Sequence, residues 1–147
     1  MIKIIVLTDL HICEESHTII GLNPSLQLKK AIKHINKYHS DANRLVITGD
    51  LTHSGTLSQY SILKNILGEI NVPTTLLLGN HDNRENFKKV FYDYPLDSNG
   101  FIQSRVSVLE KGLIFLDTLA EPSHQINTIL AKYAENDSIG FKTSWKH

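Results

Sequence analysis

The sequence predicts an α/β fold, because three short apolar runs are separated by amphipathic segments. The runs cover residues 4–8, 45–48 and 75–78 and are rich in β-branched and aliphatic residues. Continuous apolar runs of this length are typical of parallel strands that are buried on both faces of a sheet. Each run leads directly into polar residues, and open α/β sheets place their sites just beyond the carboxyl ends of their strands. We therefore expect the residues after the three runs to converge in space.

Two amphipathic helices are expected between the three strands, and a third helix follows them. The first spans residues 24 to about 38, with a proline at its start and one apolar face. The second begins after a cap at Thr56 or Ser58 and ends before Pro73, which cannot continue a helix. The third spans residues 85–92 and has three apolar residues on one side.

The pattern changes after Gly100, where antiparallel strands are expected. Residues 101–109 alternate in part and predict a strand, residues 110–112 predict a tight turn, and residues 113–116 predict its hairpin partner. The layout is therefore strand–helix repeats followed by a hairpin.

The last part of the chain carries little periodic signal. Residues 125–135 predict a short amphipathic helix, and the residues after it are expected to be disordered, as chain ends often are. We therefore predict a domain over residues 1–120 and a divergent tail over residues 121–147.

Composition and charge exclude several classes of function. Lys plus Arg and Asp plus Glu number 15 each, so no charge excess favours a nucleic acid polymer or an acidic membrane. The single Cys13 excludes an internal disulfide and fits a reducing compartment. The N-terminus enters a strand without the layout of a signal peptide, and no apolar run approaches the roughly 20 residues of a membrane helix. These observations predict a cytoplasmic protein.

Carboxylate, imidazole and amide side chains follow the three strands and predict a metal site. Asp9 and His11 follow the first run, Asp50 follows the second, and Asn80 and His81 follow the third. Each motif alone is common, but all three at successive strand ends form a specific pattern. A bridging Asp50 can hold two divalent ions, with Asp9 and His11 on one ion and Asn80 on the other. Mixed nitrogen and oxygen ligands fit manganese, iron or zinc better than calcium.

Two divalent ions at such a site fit the hydrolysis of a phosphoester, since they generate a nucleophile and compensate for charge on the phosphoryl oxygens. His81 is not needed as a ligand and can protonate the leaving oxygen as a general acid. Arg84 either binds a phosphate oxygen or lies at the surface near the start of its helix. His53 either touches the substrate or is an exposed loop histidine.

The motifs at residues 9–11, 49–50 and 79–82 resemble those of the calcineurin-like metallophosphoesterases. The run at residues 79–84, followed by Phe87 and Phe91, is similar to the branch of class III cyclic-nucleotide phosphodiesterases and their glycerophosphodiester-cleaving relatives. The resemblance covers residues 1 to about 119. It implies a sandwich of two mixed β-sheets flanked by helices, and a small phosphodiester as substrate.

By this resemblance, Asp9 and His11 bind the first of two divalent ions, Asp50 bridges, Asn80 binds the second ion, and His81 contacts the phosphate. Members of the family also carry three later histidines, at a strand end and in a Gly-His-x-His turn, and neither motif is present here.

The missing histidines leave a competing hypothesis, in which the chain is a truncated and catalytically inactive remnant. Such a remnant would bind at most one ion or would only associate with a partner. A sandwich that is incomplete at its C-terminus would also leave strand edges open and apolar surface uncovered, which predicts a homo-oligomer.

Overall fold

A computed structural model describes residues 1–120, which form a parallel sheet with helices and an antiparallel hairpin. The elements are, in chain order, β1 (Ile4–Leu7), α1 (Pro24–Tyr38), β2 (Arg44–Thr48), α2 (Leu57–Leu67), β3 (Thr74–Leu77), α3 (Arg84–Val90), β4 (Ser104–Val108) and β5 (Lys111–Phe115). The predicted tail over residues 121–147, with its helix at residues 125–135, lies outside the described residues.

The three parallel strands lie in the order β1-β2-β3, so β2 is central and pairs with both neighbours. Val46 of β2 lies opposite Val6 of β1 and Thr75 of β3. The connections through α1 and α2 both lead to the next strand in the same direction along the sheet. Because such connections are right-handed, α1 and α2 lie on the same face of the sheet. The contact between α1 and α2 agrees with this arrangement.

The hydrophobic core lies between the sheet and this helical layer. Leu45 and Ile47 of β2 point into it and are fully buried, as is Tyr60 of α2. The other face of the sheet is only partly covered within residues 1–120, because Val6 of β1 is 58% exposed. Within residues 1–120, the expectation of burial on both faces is therefore not met at Val6 of β1.

The three helices begin at polar caps, and their bounds agree closely with the sequence pattern. Asn23 caps α1 by accepting a hydrogen bond from the Leu26 amide, and Thr56 caps α2 in the same way. Asn83 caps α3, so this helix starts at Arg84, one residue earlier than predicted. It ends at Val90, two residues earlier than predicted. At Phe91 the backbone leaves the helical conformation, with φ −99° and ψ 54°.

The hairpin is docked onto α3 by a buried ion pair. Its turn falls at residues 109–110, not at residues 110–112, because Val108 pairs with Lys111. Arg84 of α3 donates from Nε and Nη2 to the two carboxylate oxygens of Asp117, at 2.8 and 2.9 Å. Asp117 also accepts from the backbone amide of Ile102 at 3.0 Å. A bidentate pair of this kind fixes orientation as well as distance.

A second buried carboxylate, that of Asp82, ties together the loops that follow β2 and β3. It accepts five hydrogen bonds of 2.9–3.1 Å, from the backbone amides of Leu51, Thr52 and Gly79 and from the hydroxyls of Thr52 and Tyr60. Burial and the adjacent Asp82 carboxylate raise the pKa of Tyr60 well above its usual range, so the phenol stays a donor. The loop after β3 is thereby held against β2 and α2.

Backbone contact between two glycines brings the ends of β2 and β3 together. Gly49 has φ +107°, and a Cβ placed on it would lie 3.0 Å from the Cα of Gly79. A Cβ on Gly79 would lie 2.2 Å from Oδ1 of Asp50 and 2.3 Å from its amide nitrogen. No side chain fits at either position, so Asp50 can lie directly against the third loop.

Within residues 1–120, no helix is both long enough and apolar enough to cross a membrane.

We expect Asp82→Asn to lower the free energy of unfolding by about 3 kcal/mol. All five groups around this carboxylate are donors, and an amide nitrogen in place of either oxygen leaves at least two of them without an acceptor. Chemical denaturation checks this value against the control Asp93→Asn, since Asp93 is largely exposed. Equal stabilities of the two variants would contradict the structural role of Asp82.

We expect Gly79→Ala to be destabilising by about 1–3 kcal/mol, because its methyl group overlaps the backbone and carboxylate of Asp50. Gly112→Ala is the matched control, since a Cβ there meets only the flexible guanidinium of Arg105, at 3.3 Å. Thermal melts of the two variants should separate clearly, and a Gly79→Ala melt equal to that of Gly112→Ala would refute the close approach.

Candidate metal centre

The loops after β1 and β2 lie side by side because backbone hydrogen bonds continue beyond the strands. The amide of Asp9 donates to the carbonyl of Gly49 at 3.3 Å, and the amide of His11 donates to the carbonyl of Asp50 at 2.8 Å. Asp9 and His11 therefore meet Asp50 at the carboxyl edge of the sheet, where an open α/β sheet places its site.

The backbone is strained at the three residues that form this meeting point. Asp9, His11 and Asp50 have φ values of 54°, 45° and 43°, in the left-handed region that is uncommon for residues other than glycine. Strain of about 1–3 kcal/mol per residue persists only where the surrounding structure enforces it. Such conformations cluster at functional sites and re-aim side chains, here toward one point.

The side chains of Asp9, His11 and Asp50 form a mixed oxygen and nitrogen donor set. One ligand atom from each lies within 4.8 Å of the others. Nε2 of His11 lies 3.8 Å from Oδ2 of Asp50, and the Thr8 hydroxyl donates to Oδ2 of Asp9 at 2.5 Å. Two carboxylates and an imidazole at this spacing fit a divalent ion such as manganese, iron or zinc.

His81 joins this cluster from the loop after β3. Its amide donates to Oδ1 of Asp50 at 3.0 Å, and its ring centroid lies 4.8 Å from that of His11. Nδ1 of His81 lies 2.9 Å from the carbonyl oxygen of His53. A carbonyl can only accept, so Nδ1 carries the proton and Nε2 is the atom available for chemistry.

Asn80 and Arg84 are the other two predicted site residues. Asn80 precedes His81 in the same turn, and its side chain is exposed. Arg84 is 6% exposed and binds Asp117 and the carbonyl of Leu119, so its guanidinium anchors the hairpin. Substrate contact by Arg84 stays a prediction, and this buried ion pair does not support it.

His53 is a residue for which the sequence left two interpretations open. Its ring lies 5.7 Å from that of His11 and 5.6 Å from that of His81, measured between centroids. The side chain is exposed, but it belongs to the cluster and is not an isolated loop histidine. Its sequence signal was only its position three residues after Asp50.

An open pocket of about 490 Å³ adjoins Asp9 and His11. Its walls come from the end of β1, the first turns of α1 and the loop at residues 19–22, and most of the lining side chains are aliphatic. Ile20 is 97% exposed at the rim. The pocket therefore offers apolar surface directly beside the carboxylate and imidazole groups.

Comparisons with known proteins identify the family of the chain. The profile of the calcineurin-like phosphoesterases matches residues 2–141. This range extends past residue 120, and the domain boundary there stays a prediction. A probable cyclic nucleotide phosphodiesterase of Rhodopseudomonas palustris is 41% identical over 126 residues, which are 84% of this chain and 46% of that protein.

Two further relatives are similar over shorter ranges. A probable cyclic nucleotide phosphodiesterase of Vesicomyosocius okutanii is 36% identical over 89 residues, which are 60% of this chain and 37% of that protein. A probable glycerophosphodiester phosphodiesterase of Arcobacter nitrofigilis is 37% identical over 67 residues, 46% of this chain and 24% of that protein. The chain spans less than half the length of these curated relatives. Since the family profile matches almost the whole length of this chain, the chain belongs to the calcineurin-like phosphoesterase family.

Proposed function

We propose that this chain takes part in the metal-dependent hydrolysis of a small phosphodiester of the cyclic nucleotide or glycerophosphodiester class. The observation that supports the proposal most is the convergence of Asp9, His11, Asp50 and His81 at one sheet edge. The names of similar proteins, which are probable cyclic nucleotide and glycerophosphodiester phosphodiesterases, agree with this class.

In this proposal Asp9, His11 and Asp50 hold a first divalent ion, and Asp50 with Asn80 holds a second. Bound divalent ions supply a nucleophile at neutral pH and compensate for negative charge on the phosphoryl oxygens. Asp50 suits the bridging role because Oδ1 and Oδ2 face different neighbours, the His81 amide and the His11 ring. The buried Gly49–Gly79 contact holds that carboxylate in place.

His81 is proposed to contact the phosphate and to donate a proton to the leaving oxygen. Its Nδ1–H is already committed to the His53 carbonyl, so a second proton in the imidazolium form is carried by Nε2. Nε2 is therefore the atom from which the proton is transferred. The hydrogen bond at Nδ1 fixes the ring orientation, which is what a general acid needs in order to reach its acceptor.

The apolar pocket beside Asp9 and His11 suggests where the organic part of the substrate lies. Aliphatic walls contributed by Leu7, Leu10 and Leu28 favour a nucleobase or another apolar group over a polar glycerol group. We therefore infer a preference for the cyclic nucleotide class within the proposed function. Cytoplasmic location and a homo-oligomer stay predictions.

The competing hypothesis is a catalytically inactive chain with partial metal binding. Of the predicted ligands, Asp9, His11 and Asp50 can serve one ion without help from residues beyond 120. Metal binding alone therefore does not separate the hypotheses, and hydrolysis has to be measured.

We expect Asp50→Asn to weaken manganese binding at least about 10-fold, since the bridging carboxylate loses its charge. Asparagine tolerates the left-handed backbone at this position, and its Oδ1 can still accept from the His81 amide. Isothermal titration and metal analysis after dialysis measure the effect, with Asp93→Asn as the exposed control. Equal manganese binding by the parent and Asp50→Asn would contradict the bridging role.

We expect slow hydrolysis of bis(p-nitrophenyl) phosphate in the presence of manganese, lost with a chelator and reduced about 100-fold in His81→Ala. His34→Ala is the control, because His34 is exposed on α1. Release of p-nitrophenol measures the rate. A chain that binds manganese and shows no hydrolysis would favour the inactive alternative, and unchanged turnover in His81→Ala would exclude the acid role of His81.

A further inference from the structure

Three imidazoles from three different loops meet beside the carboxylates. His11 follows β1, His53 follows β2 and His81 follows β3, and one ring nitrogen from each lies within 4.8 Å of the other two. The ring centroids are 4.8, 5.6 and 5.7 Å apart. This all-nitrogen set shares only His11 with the set that contains Asp9 and Asp50.

Backbone hydrogen bonds hold the segment that carries His53 in place, because the pairing of the loops after β1 and β2 extends to this residue. The amide of Ile12 donates to the carbonyl of Leu51 at 3.1 Å, and the amide of His53 donates to the carbonyl of Ile12 at 3.0 Å. His53 therefore projects from a paired segment next to His11. Its distance from His11 is set by the sheet and not by a free loop.

The tautomer of His81 independently points to a ligand. Metal-binding histidines almost always donate their second ring nitrogen to a backbone carbonyl or a carboxylate. His81 makes this interaction through Nδ1 with the carbonyl of His53, which leaves the Nε2 lone pair for an ion. The acceptor is the main chain of His53, so the bond persists when the His53 side chain is changed.

A trihistidine set favours zinc over manganese more strongly than the mixed set of Asp9, His11 and Asp50 does. Imidazoles suit zinc, copper, iron or nickel, whereas carboxylates suit manganese or magnesium. Zinc–nitrogen distances of 2.0–2.1 Å in a tetrahedral site place ligand nitrogens about 3.4 Å apart. The three nitrogens lie within 4.8 Å of one another and would have to approach by up to about 1.4 Å, and the exposed His53 side chain can turn to supply part of this movement.

We propose that His11, His53 and His81 form a trihistidine zinc site, which overlaps the proposed catalytic ligand set at His11, and that zinc bound there inhibits hydrolysis. Inhibition follows because the site takes Nε2 of His81, the atom proposed to carry the transferred proton, and competes for His11. The inhibitory part rests on the proposed phosphodiesterase function, whereas zinc binding does not.

The binding test compares the parent chain with His53→Ala, with His34→Ala as control. Zinc affinity is measured by competition with a chromophoric chelator, and the coordination is read from the visible absorption of cobalt(II) in place of zinc. His34 is an exposed histidine whose ring lies 5.4 Å from that of His39, so its loss reports on zinc held by unrelated surface histidines.

We expect His53→Ala to lose zinc affinity about 10- to 100-fold and to lose the absorption of four-coordinate cobalt, while its manganese affinity is unchanged. His34→Ala should match the parent in all three measurements. His53→Gln, which keeps a polar side chain, should lose zinc affinity like His53→Ala, and unchanged manganese affinity in both variants shows that the fold is intact. If zinc affinity is unchanged in His53→Ala and is lost in Asp9→Asn, zinc occupies the carboxylate set and the proposal is overturned.

The inhibition test uses the manganese-loaded chain. Zinc at a concentration that saturates the parent should abolish hydrolysis of bis(p-nitrophenyl) phosphate by the parent and leave His53→Ala largely active. Equal inhibition of both would overturn the inhibitory role. A parent without measurable hydrolysis would reject the proposed function together with inhibition, and the zinc titration would still decide the binding site.

Discussion

The arrangement of the whole site depends on the buried carboxylate of Asp82. It accepts hydrogen bonds from the loops after β2 and β3 and from Tyr60 of α2, and Tyr60 in turn accepts from the amide of Asn83. A charged acceptor with five donors in a low-dielectric interior forms a cooperative network, and each partner limits the movement of the others. The positions of Asp50 and His81 follow from this network, although Asp82 itself faces away from solvent.

Backbone pairing between the loops after β1 and β2 accounts for how the strained backbone persists. Left-handed conformations at Asp9, His11 and Asp50 cost free energy locally, and the backbone pairing between residues 9–12 and 49–53 offsets that cost. The contact between Gly49 and Gly79 removes the space into which Asp50 could relax. The donor atoms are therefore held near one another by the fold itself, before any ion binds, which lowers the entropy lost on binding.

The sequence predicted what depends on local pattern. Apolar runs located β1, β2 and β3 to within one residue at each end, and the cap at Thr56 was one of two candidates. Burial on both faces is not observed for Val6 within residues 1–120, because burial of a sheet face depends on the elements that pack over it, which the composition of the strand does not specify. The sequence predicted that Arg84 lies at the surface or binds a phosphate. It did not predict the ion pair with Asp117, because that residue lies 33 positions away. The sequence also did not predict that His53 joins the cluster, because the position of His53 depends on its backbone pairing with Ile12.

The two overlapping donor sets differ in how firmly the fold holds them, and this difference bears on the ion each would take. Asp9 and Asp50 are fixed by strained backbone and the His81 ring by its hydrogen bond to the His53 carbonyl, whereas the exposed His53 ring can rotate about fixed main chain. Manganese favours octahedral coordination by oxygen-rich ligands, and preset carboxylates can supply part of that shell. Zinc favours four tetrahedral ligands, and rotation of the His53 ring can bring its nitrogen toward that geometry. Since His11 belongs to both sets, the chain cannot satisfy both fully at once, and the ratio of zinc to manganese would decide which set is formed.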